Sequence, residues 1–183
     1  MVDTAHIRMT AEEFMSQPET LERVELIDGE VVMSPSPIDP HQDAVLAAAA
    51  LLKQIAPHGK TKIAPLDVYV DGINVVQPDV FWISDANTAC MLVDNKYWHG
   101  APDLVIEVLS PSTAERDYGV KFELYQQHGV REYWVMDVTA LFVQVFRLEN
   151  GKFARQGVFG LGKSFSSPVL GDITIDVTRL LTA

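Results

Sequence analysis

The run from Asp103 to Tyr125, DLVIEVLSPSTAERDYGVKFELY, constrains the fold more than any other stretch. It reads as a buried strand, a tight polar loop and an amphipathic helix. Side chains alternate along a strand, so Asp103, Val105, Glu107 and Leu109 share one side and Leu104, Ile106 and Val108 the other. Glu107 breaks the apolar pattern. A carboxylate in such a strand is costly unless a metal, a partner or water stabilises it. What Glu107 faces is therefore the first question the chain poses.

The flanking residues read as a mixed α/β chain. Thr10 and Glu13 form a capping box for a short helix over roughly 11–16, which stops before Pro18. Asp28-Gly29 between two apolar runs signals a two-residue hairpin. Its register puts Val24, Leu26, Val31 and Met33 on one face, expected to pack on the core, and Glu25, Ile27, Glu30 and Val32 on the other. Asp39 is expected to cap a second helix, with Pro40 at its first position, Gln42 completing the box and the end near Pro57. Two extended runs follow, and the second carries Pro78, which implies an edge or a bulge. Residues 85–99 read as a loop or short helix. Ser112 and Glu115 are a further capping box, and Gly129 is a stop for the helix that follows. Strands REYWVMDV and LFVQVFRLE come next, then a glycine-rich tail ending in DITIDV. No repeat or low-complexity segment appears, so a single domain over residues 1–183 is expected.

Composition narrows the function. The formal net charge is −11, which argues against broad, sequence-independent attraction to nucleic acid or anionic membrane. It is compatible with bound divalent cations. One cysteine, Cys90, excludes an internal disulfide and fits a reducing compartment. The apolar run 44–52 is far shorter than the ~18 residues a membrane span needs. The amino-terminal stretch lacks an apolar leader core, so a cytoplasmic location is the default expectation.

Asp79 and Glu107 are the principal candidates, each a carboxylate in an apolar strand. On neighbouring strands and one side, they could hold a hard cation such as Mg²⁺ through oxygen ligands. A strand end for Asp79 and an ordinary ion pair for Glu107 fit the residues equally well. Lys121 lies ~12 Å along the following helix and Glu107 ~7 Å back from the strand end, so a lysine side chain can reach it. Asp117, Lys121 and Tyr125 share a helix face at i, i+4 spacing, and a surface Asp117–Lys121 pair competes with that reading. Glu25 could add a carboxylate, or be an exposed strand residue. His41, in the first turn of its helix, could touch a phosphate or a metal-bound water, or be solvated. Asp103 is ~13 Å from Glu107 along the strand, too far to share an ion, and reads as a cap. The run 58–62 is the nearest approach to a basic patch, or a solvated turn.

Gly157 to Ser164, GVFGLGKS, fits the phosphate-loop pattern. That loop works only between a strand and a helix, whose N-terminal amides bind phosphates. Pro168 leaves no room for one, so a glycine-rich turn is the better account and no nucleotide-binding loop is expected.

Taken together, ELIDGE, QPDV, PDLVIEVLSPST, a helix with D-x-x-x-K-x-x-x-Y and GVREYWVMD resemble the Uma-type endonuclease family of the PD-(D/E)XK nuclease superfamily. The resemblance runs from about Met9 to Leu181. It implies a restriction-endonuclease-like core, a central mixed sheet flanked by helices, with the hairpin at its amino-terminal side. It assigns catalytic positions to Asp79, Glu107, Lys121 and Glu25, and metal binding to Asp79, Glu107 and the Val108 carbonyl. His41, Asp117 and Tyr125 are accessory candidates. The superfamily pattern expects its lysine at Leu109; the resemblance moves that role to Lys121. The implied activity is phosphodiester hydrolysis of DNA with Mg²⁺ or Mn²⁺. The other reading is a catalytically silent nuclease-fold module that binds a protein or nucleic acid. A homodimer is expected from the aromatic content and from how nucleases grip two-stranded DNA.

Overall fold

A computed structural model describes residues 8–182 apart from Glu19 and Leu21. The amino-terminal stretch read for a leader lies partly outside the described residues. Thr10 closes its capping box on α1 (Ala11–Met15): its hydroxyl accepts the Glu13 N–H at 3.2 Å, and Glu13 accepts the Thr10 N–H at 2.8 Å. Next come β1 (Arg23–Ile27) and β2 (Glu30–Ser34), turned by Asp28 and Gly29 at φ 51° and 77°. The second helix, α2 (Asp39–Ile55), has Ile38 as its N-cap with no side-chain capping bond. Asp39 is thus its first residue, one position earlier than expected.

Strands β3 (Gly59–Ile63), β4 (Val68–Asp71), β5 (Asn74–Val76) and β6 (Val80–Ser84) follow. Pro78 lies between β5 and β6, where the chain crosses from one sheet to another, rather than inside a single strand. A residue without an N–H is harmless at such a crossing. The expected loop after β6 is instead a hairpin, β7 (Met91–Val93) and β8 (Tyr97–His99). Its turn residues Asp94 and Asn95 adopt φ 52° and 55°, which these short polar residues tolerate.

Strand β9 (Leu104–Val108) leads to two helices rather than one, α3 (Ala114–Tyr118) and α4 (Val120–Gln127). Gly119 makes the break at φ −107°, ψ −107°, where a Cβ would fall 2.7 Å from the Glu115 carbonyl oxygen. Ser112 does not cap α3; its hydroxyl lies 3.0 Å from that of Ser110. The chain finishes with β10 (Glu132–Asp137), β11 (Phe142–Glu149), β12 (Lys152–Gly160), β13 (Ser164–Ser167), β14 (Ile173–Asp176) and α5 (Thr178–Leu181). Gly157 to Ser164 runs along the end of β12, around a turn and into β13, so Lys163 and Ser164 do not open a helix.

The central sheet has the order β12-β11-β10-β9-β6-β3, with β9 and β10 parallel and the other pairs antiparallel. A second sheet, β2-β1-β5-β4-β8-β7, packs against it. One face of the central sheet, with Trp82, Ile106 and Trp134, lies under the small residues Ala44, Ala48 and Ala49 of α2. The other face, with Phe81, Val105 and Val135, meets Leu124 and Tyr125 of α4 and Ile27, Val68 and Trp98 of the second sheet. Cover on both faces leaves every residue of β9 buried, Glu107 included.

The hairpin faces are the reverse of the expectation in part. Val31 and Met33 are 49% and 61% exposed, whereas Glu25 is buried. Strand β1 is interior, between β2 and β5, and its Glu25 side turns toward the central sheet; β2 is an edge. The aromatic side chains are likewise mostly inside: Tyr118 is the aromatic member of the exposed large hydrophobics among the described residues. The surface argument for a dimer therefore loses its aromatic premise. No helix among the described residues is long and apolar enough to cross a membrane.

Candidate active site

Where the two sheets meet, a cavity of about 260 Å³ is lined by Arg23, Glu25, His41, Asp79, Glu107, Arg116, Asp117 and Lys121. Its rim is two serine–proline loops, residues 34–37 and 110–113. The functional side chains come from several separate elements. Strand β1 supplies Arg23 and Glu25, two residues apart and so on one side. The first turn of α2 brings His41, and the entry to β6 brings Asp79. Strand β9 carries Glu107, and α3 and α4 fold back over it with Arg116, Asp117, Lys121 and Tyr125.

Glu107 sits at the centre. Its Oε1 accepts from Lys121 Nζ at 3.0 Å and from the Tyr125 hydroxyl at 2.7 Å. Its Oε2 has only a 3.4 Å contact from the Asp79 N–H. Lys121 also bridges to Glu25 Oε1 at 2.9 Å, and that oxygen accepts the Gln77 N–H at 2.7 Å. Arg116 reaches Glu25 Oε2 at 3.3 Å and donates to Ser34 Oγ at 3.0 Å. Asp79 Oδ2 accepts the Val108 N–H at 2.7 Å and lies 3.2 Å from His41 Nε2. Asp79 Oδ1 is 2.7 Å from Arg23 Nη1, yet the approach lacks the alignment of a hydrogen bond, and Oδ1 counts as a buried acceptor without a donor. The contact is an ion pair, loosely directed.

Several readings of individual residues change here. Glu25 and His41 are buried rather than exposed or solvated, and the Asp117–Lys121 face points inward rather than at solvent. Asp117 is buried and, among the described residues, makes no ion pair within 4 Å. Val108 contributes its N–H to Asp79. Leu109, where the superfamily pattern expects lysine, packs with the apolar cluster beneath α4. Asp103 is remote and is held by the Ser84 N–H at 2.8 Å, Asn87 and Arg131. Cys90 is buried, and burial pushes its thiol up to about 12. The sequence reading missed Arg23, Arg116 and Gln77. Arg23 had a signal, since a residue two before Glu25 must share its face.

The charges are crowded. Burial pushes the Glu107 carboxyl up to about 8; the charge of Lys121 opposes this, while Asp79, Asp117 and Glu25 reinforce it. Burial would also raise Asp79, but the His41 hydrogen bond and the Arg23 charge outweigh it and hold the group at about 2. Glu25 is likewise lowered, with Lys121 and the Gln77 N–H overcoming burial. Burial raises Asp117 against the pull of Lys121. For Lys121, burial disfavours the charge, but Glu107 and Glu25 win and raise it. A proton at Glu107 is therefore held where a cation would compete for it.

Among the described residues, no three His, Cys, Asp or Glu side chains form a ready shell for a metal ion. Two carboxylate oxygens nevertheless keep spare acceptor capacity. Among the described residues, Asp79 Oδ1 lacks an aligned donor and Glu107 Oε2 has one long contact, and both residues line the cavity. Hard oxygen donors of this kind suit Mg²⁺ or Mn²⁺.

Comparisons with known proteins agree with this architecture. A family model named Uma2, described as "Putative restriction endonuclease", matches residues 11–178. The fold is similar to a crystal structure from Anabaena variabilis ATCC 29413 described as "a putative nuclease belonging to DUF820". That likeness has a TM-score of 0.76 at 18% identity and covers 95% of this chain and 98% of the other. No curated protein matches the chain at a significant level. Family and fold together support a nuclease.

Proposed function

Since the chain belongs to the Uma2 family, we propose that it is a metal-dependent endonuclease that hydrolyses phosphodiester bonds of DNA. One observation carries the reading: Asp79, Glu107 and Lys121, far apart in sequence, converge on one open cavity. Asp79 and Glu107 would hold Mg²⁺ or Mn²⁺ through Oδ1 and Oε2. When bound, such an ion lowers the pKa of a water and stabilises charge on the phosphate. The remaining work belongs to the protein. The Val108 N–H and His41 fix the plane of Asp79 through Oδ2, so its other oxygen has a set direction. Tyr125 and Lys121 fix Glu107 by the opposite oxygen. Lys121 keeps its proton against burial and places positive charge beside the reacting phosphate, an electrostatic role suited to the transition state. Glu25 and the Gln77 N–H steady the lysine.

Arg23, Lys121 and Arg116 meet the carboxylates at close range, and this neutralisation favours the second reading, a silent module that kept the fold. Plasmid nicking by purified protein with Mg²⁺ or Mn²⁺ separates the two. The nuclease reading expects cleavage that Glu107→Ala removes while the circular dichroism spectrum stays unchanged. Metal binding by calorimetry without cleavage of DNA or RNA favours the silent module.

A further inference from the structure

Arg23 stands at a boundary. It lines the 260 Å³ cavity and also a neighbouring groove of about 1020 Å³, walled by Met15, Val24, Val31, Met33 and Tyr97. Its guanidinium contacts Asp79 Oδ1, the oxygen assigned to the metal in the reading above, and its Nη2 donates to the Gln77 carbonyl. The grip is incomplete. The Asp79 contact is misaligned, and the buried Nε has no acceptor among the described residues. An arginine–carboxylate pair at full strength uses two parallel N–H bonds, and this one does not.

Lys121 and Asp79 are tied more firmly. Lys121 is held between two carboxylates at 2.9 and 3.0 Å, with its side chain 3% exposed; that of Arg23 is 17% exposed. Asp79 itself is pinned through Oδ2 by a backbone amide and His41, so the aspartate cannot turn away. A cation arriving at Oδ1 would meet the guanidinium at contact distance. Of the two, only the arginine has somewhere to go: the open groove on its outer side.

We infer that Arg23 is an exchangeable counter-ion, which neutralises Asp79 in the metal-free protein and swings into the groove, toward a substrate phosphate, when a divalent cation takes Oδ1. The inference rests on the metal-dependent reading above and adds to it a reason for the part-exposed arginine kept at the site's mouth. Exchange keeps the charge balance of four buried acids nearly constant, so the site is stable before it is loaded. Once outward, a planar guanidinium matches phosphate oxygens bidentately, which lysine would not.

The test uses wild-type protein, phenylglyoxal as an arginine reagent, Mn²⁺, and peptide mapping by mass spectrometry. Saturating Mn²⁺ should speed labelling of Arg23 by on the order of tenfold, as one charge-assisted contact is given up, and leave Arg116 unchanged. Calorimetry adds a second measurement. Arg23→Gln should bind Mn²⁺ about tenfold tighter, and Arg23→Lys should stay near wild type. Mn²⁺ that binds wild type without faster Arg23 labelling, or binds Arg23→Gln no more tightly, overturns the exchange and leaves the metal site standing. Wild-type protein that binds no divalent cation overturns both.

Discussion

Two buried glutamates on adjacent parallel strands make the instructive contrast. Glu107 on β9 and Glu132 on β10 are 1% and 0% exposed. They lie on opposite faces of the central sheet. Glu132 Oε2 accepts from the Trp134 indole at 3.0 Å and the Ser167 hydroxyl at 2.8 Å. Its Oε1 has longer contacts from the Val169 N–H at 3.5 Å and Arg147 at 3.6 Å. Three of its four partners are neutral donors, and it fastens the β13 end to the sheet. Glu107 instead shares its space with three acids and a lysine, and it lines a cavity. A buried charge by itself therefore marks no site. The mark is like charges crowded where solvent or an ion can enter, with one oxygen left under-used.

The largest expected effect separates the two in activity. Glu107→Ala should cut metal-dependent nicking by at least ~100-fold, the scale of losing one group that supports the transition state. Glu132→Gln should leave nicking per folded molecule unchanged while lowering stability by ~1–3 kcal/mol in urea unfolding. Equal loss of activity in both variants would erase the contrast.

Lys121→Met comes next. Removing the cation leaves Glu25 and Glu107 facing each other, and breaking a buried pair from one side costs ~3–5 kcal/mol. Adding Glu25→Gln to that variant should recover part of the loss, because Glu25 is the acid that keeps its charge and the remaining buried charge is then smaller. Recovery by Glu132→Gln would contradict the geometry.

A pH series tests the crowding directly. Glu107 titrates near 8 in the folded chain against an ordinary 4.5, so the folded state binds that proton more tightly. This contribution is full below about 4.5 and is lost as pH rises through about 8, by at most ~1.4 kcal/mol per unit. Asp79 has the opposite sense: depressed from 3.8 to about 2, it adds stability above 3.8 that is lost as pH falls toward 2. Thermal unfolding of metal-free protein should show the alkaline decline, and Glu107→Gln should flatten it. The smallest effect is Tyr125→Phe, which removes one bond to Glu107 Oε1 while Lys121 remains. It should cost ~1 kcal/mol and leave the acid-side behaviour unchanged.

Local chemistry was legible in the sequence because it depends on neighbours in the chain. The Thr10–Glu13 box, the Asp28-Gly29 turn, the faces of β9 and the reach of α4 back over it all follow from spacing. The break at Gly119 was not legible: glycine permits a kink but does not demand one. Nor was the crossing at Pro78 or the β7–β8 hairpin, because a short apolar run does not say which sheet it joins. The faces of β1 were visible as a pair, but not which of them is covered. That choice depends on Arg116, 91 residues away, and on Gln77, 52 residues away. By itself, the sequence determined that Glu107 needs a partner and that Lys121 could be one. Only the tertiary structure decided that Glu25 and His41 turn inward, that Arg23 closes on Asp79 and that the group opens to a cavity. Alternation along a strand sets which residues stand together; the packing of distant elements sets what they meet.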